Sequence, residues 1–170
     1  SGNIFIFSDH HHLHYKTAMK IFYNNKIFGS GPKQFRYLCG KDEYFTTAND
    51  IYSKTYISKL EGRELSRLSN LDGCSTHPHH TFIQLLAETG LFGFFIFLFF
   101  YFTLIFFIFK LSKSSNNYNT KMILAFTILI NFSPFMPSGN FFNNYLSLVY
   151  FIPISVLYSL ILKEKYVRSI

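Results

Sequence analysis

Residues 91–109, LFGFFIFLFFYFTLIFFIF, run for nineteen positions without a charge, and the apolar register starts earlier, at Phe82. A helix rises about 1.5 Å per residue, so ~20 such residues cross the ~30 Å hydrocarbon core of a bilayer. A helix that is apolar on every face is either buried in a protein core or spans a membrane, and this one reads as a span. It also lies too far from the N-terminus to be a signal peptide.

Two further spans are expected, at residues 122–137 and 145–162. The first is short and contains Asn131, Pro134 and Pro137; the second contains Pro153, which removes a helix hydrogen bond and should kink it. Asp and Glu are absent from Thr89 through Lys163. Hydrocarbon demands this, since a charge at a helix centre costs about 2.5–3.5 kcal/mol on insertion scales. Lys110, Lys113 and Lys121 flank or lie in the 111–121 link, Lys163, Lys165 and Arg168 lie in the 163–170 tail, and no Lys or Arg lies between Ser133 and Tyr145. By the positive-inside rule the link and the tail are cytoplasmic, while the 138–144 turn and residues 1–80 face outward. The expected fold class is an all-α membrane protein. It has a helical loop domain over residues 1–80, then three transmembrane helices at 81–110, 122–137 and 145–162.

Composition divides along the same line. Of 23 Phe, 17 follow residue 80, whereas 10 of the 16 Lys and Arg precede it. The outward half carries those ten against seven Asp and Glu, a net +3, which suits an anionic partner. Nucleic acid is not expected in that compartment, leaving phosphates on a lipid or sugar carrier, or a plain solvated basic surface. Cys39 and Cys74, the only cysteines, both fall there and read as a disulfide, with two free buried thiols as the alternative. A bridge would tie the GSGPKQFRYLC segment to the GCSTHPHH segment. A helix is expected at residues 15–24, ended by the turn Gly29-Ser30-Gly31-Pro32. Helical turns are expected over residues 49–69, with Ile51, Tyr52, Ile57, Leu60, Leu65 and Leu68 inward and Gly62 dividing them. The alternation in NIFIF, residues 3–7, fits a strand or the end of a preceding span, and the initial Ser suggests a portion of a longer chain.

The stretch HPHHTFIQLLAETGLFG, residues 77–93, carries the chemistry. Pro78 biases His77 away from the helical region, which puts His79 and His80 at the start of the long span. Unpaired N–H groups there suit a phosphate oxygen, and the same field favours a neutral imidazole that accepts a proton. Glu88 lies further along, at the expected membrane surface, and Gly90 and Gly93 would admit a neighbouring helix.

HHTFIQLLAETGLFG resembles the signature of the O-antigen ligase and O-antigen polymerase superfamily, in which a His-Asn pair, nine residues and Gly-x-x-Gly open a transmembrane helix. His79 matches the family histidine, with Thr81 to Thr89 before Gly90 and Gly93; His80 stands where Asn is usual. AMKIFYNNKIFGSGPKQFR is similar to the family's upstream block, with Lys26 at a common Pro and Tyr15 at a common Trp. Where many members carry an essential Arg, this chain has His10-His11-His12-Leu13-His14. PFMPSGNFFNN resembles the periplasmic turn between the last two spans of one branch. The resemblance implies the C-terminal portion of a polytopic inner-membrane enzyme with its loop in the periplasm. Such an enzyme moves a glycan from undecaprenyl diphosphate to a hydroxyl of lipid A core, another acceptor or a growing repeat unit, without a metal or other cofactor.

Within that reading His79 is the base or orients the acceptor, and Arg36 clamps the diphosphate because its planar fork matches phosphate oxygens. Lys33, His80, Gly29, Gly31, Glu88 and His14 are further substrate contacts. Arg63 and Arg67 are equal candidates for the clamp, and Glu88 pairs structurally as readily as it acts. A different reading makes the chain a non-catalytic membrane protein whose basic ectodomain binds anionic lipid or polysaccharide. A third gives His10–His14 to a metal, although adjacent side chains in a His run diverge whereas zinc wants converging ligands; no metal is expected.

Overall fold

Helix α1 (Asp9–Asn24) begins where the Ser8 side chain accepts a hydrogen bond from the His11 amide, with Asp9 favourably placed in the first turn. The computed structural model describes residues 8–110 and 116–167, so the expectations attached to NIFIF, Lys113 and Arg168 lie outside the described residues. α1 starts well before residue 15, which makes His10, His11 and His14 helical. Leu13, His14, Thr17, Ala18, Ile21 and Phe22 recur every three or four residues and form its buried stripe.

Short helices follow: α2 (Phe35–Leu38), a 3-10 turn at Ala48–Asp50, α3 (Lys54–Ile57) and α4 (Gly62–Ser69). Gly62 opens α4, and Leu65, expected inward, is exposed because α4 buries only Leu68 against Leu13, Ala48, Ile51 and Leu71. A second cluster joins Ala18 and Ile21 of α1 to Phe35, Cys39, Tyr44 and Ala87. No strand occurs among the described residues; Thr47 and Asp72 form an isolated bridge. Cys39 and Cys74 are joined by a disulfide that closes a 35-residue separation. By the chain-entropy argument this stabilises the fold by about 3–4 kcal/mol. The double variant Cys39→Ala/Cys74→Ala is expected to lose about that much in denaturant unfolding; an unchanged midpoint contradicts it.

Helix α5 (Thr81–Lys110) is not one straight rod. Gly90 has φ 65° and ψ −167°, which breaks the helix into residues 81–89 and 91–110. The Phe82 ring lies 5.3 Å from that of Phe97 and 5.7 Å from that of Tyr101. A straight helix would separate these residues by roughly 22–28 Å along its axis. The two segments therefore fold back on each other as a helical hairpin with Gly90 at its apex. The first segment is buried, with Gln84 and Ala87 at 0% exposure, while the second is largely exposed and apolar.

Helix α6 (Tyr118–Asn131) packs against α7 (Asn144–Val167) and against α5. Ala125, Ile128, Phe132, Tyr150 and Leu157 form the centre of that contact, with Phe97, Tyr101 and Leu104 around them. Lys121 forms an ion pair with Glu164, tying one end of α6 to α7. Among the described residues two helices, Thr81–Lys110 and Asn144–Tyr166, are long and apolar enough to cross a membrane, not the three expected. The middle helix has 14 residues, about 21 Å, and ends at Asn131, where the Ser133–Pro134 and Pro137 segment cannot continue it.

Candidate functional site

The site is built where the strap Cys74–His80 passes between α1 and the 133–143 turn. At its start the disulfide holds Cys74 to Cys39, and the Cys74 amide donates to Asp72 at 2.8 Å. At its end the His79 carbonyl accepts from the Ser138 amide at 2.9 Å. Between them His79 adopts φ 56°, a left-handed conformation that costs a non-glycine residue about 1–3 kcal/mol. That backbone turn aims the His79 ring at Ser75, whose Oγ lies 3.2 Å from Nε2.

Four imidazoles gather in this region. The His79 ring centroid lies 4.0 Å from that of His77, 5.4 Å from that of His14 and 5.6 Å from that of His11. His11 and His14 share one face of α1 because residues three apart are neighbours on a helix. His14 Nδ1 and His77 Nε2 are buried without a hydrogen-bond partner among the described residues. Among those residues no group of three or more His, Cys, Asp and Glu is arranged to hold a metal.

Burial is the main reason His14, His77 and His79 resist protonation. It lowers the pKa of His79, aided by His14 and His11 nearby. It pushes His77 down to about 4, with the neighbouring His79, His14 and Arg36 adding to the effect. It also lowers His14, against the pull of Asp72 and a backbone hydrogen bond to Gly73. The unfolded chain takes up these protons near pH 6.5, whereas the folded chain resists until lower pH. Stability contributed by the cluster is therefore present above pH 6.5 and is lost as pH falls from 6.5 toward about 4. Thermal unfolding followed across that range should show the loss, and His77→Asn should flatten it; an acid-insensitive midpoint contradicts the assignment.

His80 does different work from its neighbour. Its Nδ1 accepts from the Ile83 amide at 3.4 Å, capping α5, and its Nε2 faces the Pro134 carbonyl at 3.0 Å. With both nitrogens engaged within the chain, His80 fixes the 133–143 turn rather than offering a group to a substrate. Burial lowers its pKa as well, although its backbone hydrogen bonds oppose the shift.

Glu88 is 1% exposed and accepts from the Phe35 amide at 2.9 Å and from Gln84 Nε2 at 3.0 Å. Gln84 also donates to Asn140 at 2.8 Å and accepts from the Phe141 amide at 2.9 Å. Glu88 is thus a buried structural acceptor that links α2, α5 and the turn, not a substrate contact. The same correction applies to Gly29 and Gly31. The Gly29 amide donates to Asn25 and the Gly31 amide to Glu88, so neither is left for a phosphate. Gly90 does admit a close approach, but from the Ile27–Gly29 loop and not from a helix, and Gly93 packs on the Thr89 side chain.

Arg36 and Lys33 are both exposed, and the Arg36 guanidinium forms no ion pair among the described residues. Its charge reaches His77, which places it on the histidine side of the molecule. Arg67 instead pairs with Asp9 at 3.3 Å. Sequence reasoning missed Ser75, Gln84, Ser138 and Asn140. Ser75 had a signal, being four residues before His79 and next to Cys74; the others are recognisable only once the turn is folded onto α5.

No protein-family model, curated protein or solved structure matches this chain.

Proposed function

We propose that the chain is part of a membrane-embedded glycan transferase of the O-antigen ligase and polymerase kind. In this reading, residues 91–110 and α7 cross the bacterial inner membrane, α6 lies between them, and the histidine cluster faces the periplasm. The donor is a glycan on undecaprenyl diphosphate, and the acceptor is a hydroxyl of lipid A core, another glycan acceptor or a growing repeat unit. The acceptor oxygen attacks the anomeric carbon, the bond from that carbon to the diphosphate oxygen breaks, and the hydroxyl proton passes to His79. Arg36 and Lys33 stabilise the charge on the departing diphosphate. No metal enters the step.

One observation carries the reading: His79, the residue matching the family histidine, sits in a strained backbone conformation with a hydroxyl on one ring nitrogen and neighbours that keep it neutral. Strain of this kind clusters where geometry serves function. The test is transfer by the purified protein in lipid vesicles, from a polyprenyl-diphosphate glycan to a glycan acceptor in the presence of a chelator. Inverted product is expected; no transfer with either a lipid A core or a repeat-unit acceptor counts against the reading. Salt-sensitive binding of anionic vesicles without transfer would favour the basic-ectodomain alternative.

A further inference from the structure

We propose that Ser75 is a positioning residue that holds the His79 ring by Nε2 and so makes Nδ1 the nitrogen that receives the acceptor's proton. This rests on the transferase reading given above.

The geometry makes the case in three steps. First, Ser75 Oγ stands 3.2 Å from His79 Nε2, and Nδ1 makes no hydrogen bond among the described residues. A neutral imidazole carries one proton, and the nitrogen that works as a base is the one without it. In the proposed arrangement Ser75 accepts from Nε2–H and the lone pair of Nδ1 stays available; a hydroxyl that donated to Nε2 instead would leave the proton on Nδ1, and nitrogen-15 NMR separates the two. Second, Ser75 is held independently of His79. Its predecessor Cys74 is tied to Cys39 at the end of α2 and to Asp72 through its amide, so the backbone that carries the hydroxyl is anchored by the fold and not by the ring. Third, the left-handed turn at His79 needs a reason to persist. It is clamped from the far side by Ser138, and the outcome of the clamp is the Ser75 contact. The neighbouring imidazoles do not supply this fixation, because they pack on the ring without a hydrogen bond to it among the described residues.

The ring groups facing His79 are His11 and His14 from α1 and His77 from its own strap, and no carboxylate bonds to its ring among the described residues. Ser75 is therefore the hydrogen-bonding group that holds the ring among the described residues, and its loss should affect the chemical step more than substrate binding.

The test has a spectroscopic arm and a kinetic arm. Nitrogen-15 NMR of histidine-labelled protein in nanodiscs above pH 7, with the His79 signal identified by its absence in His79→Asn, is expected to show the Nε2–H tautomer. Ser75→Ala is expected to turn that signal into a mixture of tautomers and to lower kcat roughly 10-fold with KM unchanged, and Ser75→Thr to restore both. A wild-type ring protonated on Nδ1, or ring shifts indifferent to Ser75→Ala, overturns the proposal. A drop in kcat that Ser75→Thr does not rescue, with the tautomer unchanged, makes Ser75 merely structural and overturns it too. Absence of any transfer by the wild-type protein refutes the transferase reading, while the NMR arm still decides the tautomer.

Discussion

His79→Gly is expected to remove roughly two to four orders of magnitude of glycan transfer, the usual worth of a positioned general base, while leaving the protein at least as stable as before. The two halves of that expectation have separate causes. Transfer fails because the neighbours of His79 on the strap do not replace it: His80 has both nitrogens engaged, and burial lowers the His77 pKa to about 4, which makes it a weak base. Stability holds because residue 79 sits at φ 56°, a region glycine enters freely and histidine does not. Removing the ring also relieves the crowding of His11, His14 and His77. His79→Ala is a poorer probe, since alanine keeps the backbone strain. The measurement is transfer rate beside a denaturation midpoint in the same detergent. A stable His79→Gly protein with near wild-type transfer would remove His79 from the chemistry.

Gly90→Ala is expected to be the most damaging single methyl in the chain. Gly90 adopts φ 65° with ψ −167°, a combination essentially confined to glycine. A Cβ there would lie 2.5 Å from the Gly29 amide nitrogen, and the reciprocal Cβ on Gly29 would lie 2.5 Å from the Gly90 amide nitrogen. Those contacts are backbone on backbone, so neither side can yield by changing a rotamer. Four backbone hydrogen bonds depend on the approach: Leu91 amide to Lys26 carbonyl, Phe92 amide to Ile27 carbonyl, Ser30 amide to Ala87 carbonyl, and Gly31 amide to Glu88 carbonyl. The hairpin should open, α1 should lose its packing on α5, and limited proteolysis should cut near residues 26–31. Gly62→Ala is the control, because its Cβ meets open space and only the positive φ of 59° is penalised, at roughly 1–2 kcal/mol. Equal effects from the two substitutions would mean that the close approach contributes nothing.

Much of the helical content was legible because it follows from local pattern. The apolar run from residue 91 to 109 forms a helix in the structure, as does the segment carrying Pro153. The start of α1 was misread because three consecutive histidines carry no periodic signal, although Ser8 and Asp9 form an ordinary N-terminal cap. The middle span failed on length: α6 has 14 residues, and Pro134 and Pro137 prevent its continuation. Leu65 was placed inward on periodicity alone, and α4 is too short to bury two layers.

The candidate site divides in the same way. His79 was singled out from its motif, and Cys39 and Cys74 from being the only pair. Glu88, Gly29 and Gly31 were assigned to a substrate, yet Glu88 and Gly31 are engaged by neighbours more than fifty residues away in sequence and the Gly29 amide by Asn25 four residues before it. A buried carboxylate and a catalytic one look alike in a sequence; only their hydrogen-bond partners tell them apart.

By itself the sequence determined that this chain is helical, that its second half is apolar beyond what a water-facing surface tolerates, and that a helix starts just after His79. Those properties follow from periodicity, charge and residue type, which act over a few neighbouring positions. The tertiary structure alone decided that α5 doubles back at Gly90, that Ser75 meets His79, and that α1 lends His11 and His14 to the same cluster. Each of these joins residues through the folded backbone, where one φ angle at a glycine or one disulfide redirects the chain, and no local pattern encodes where it will arrive.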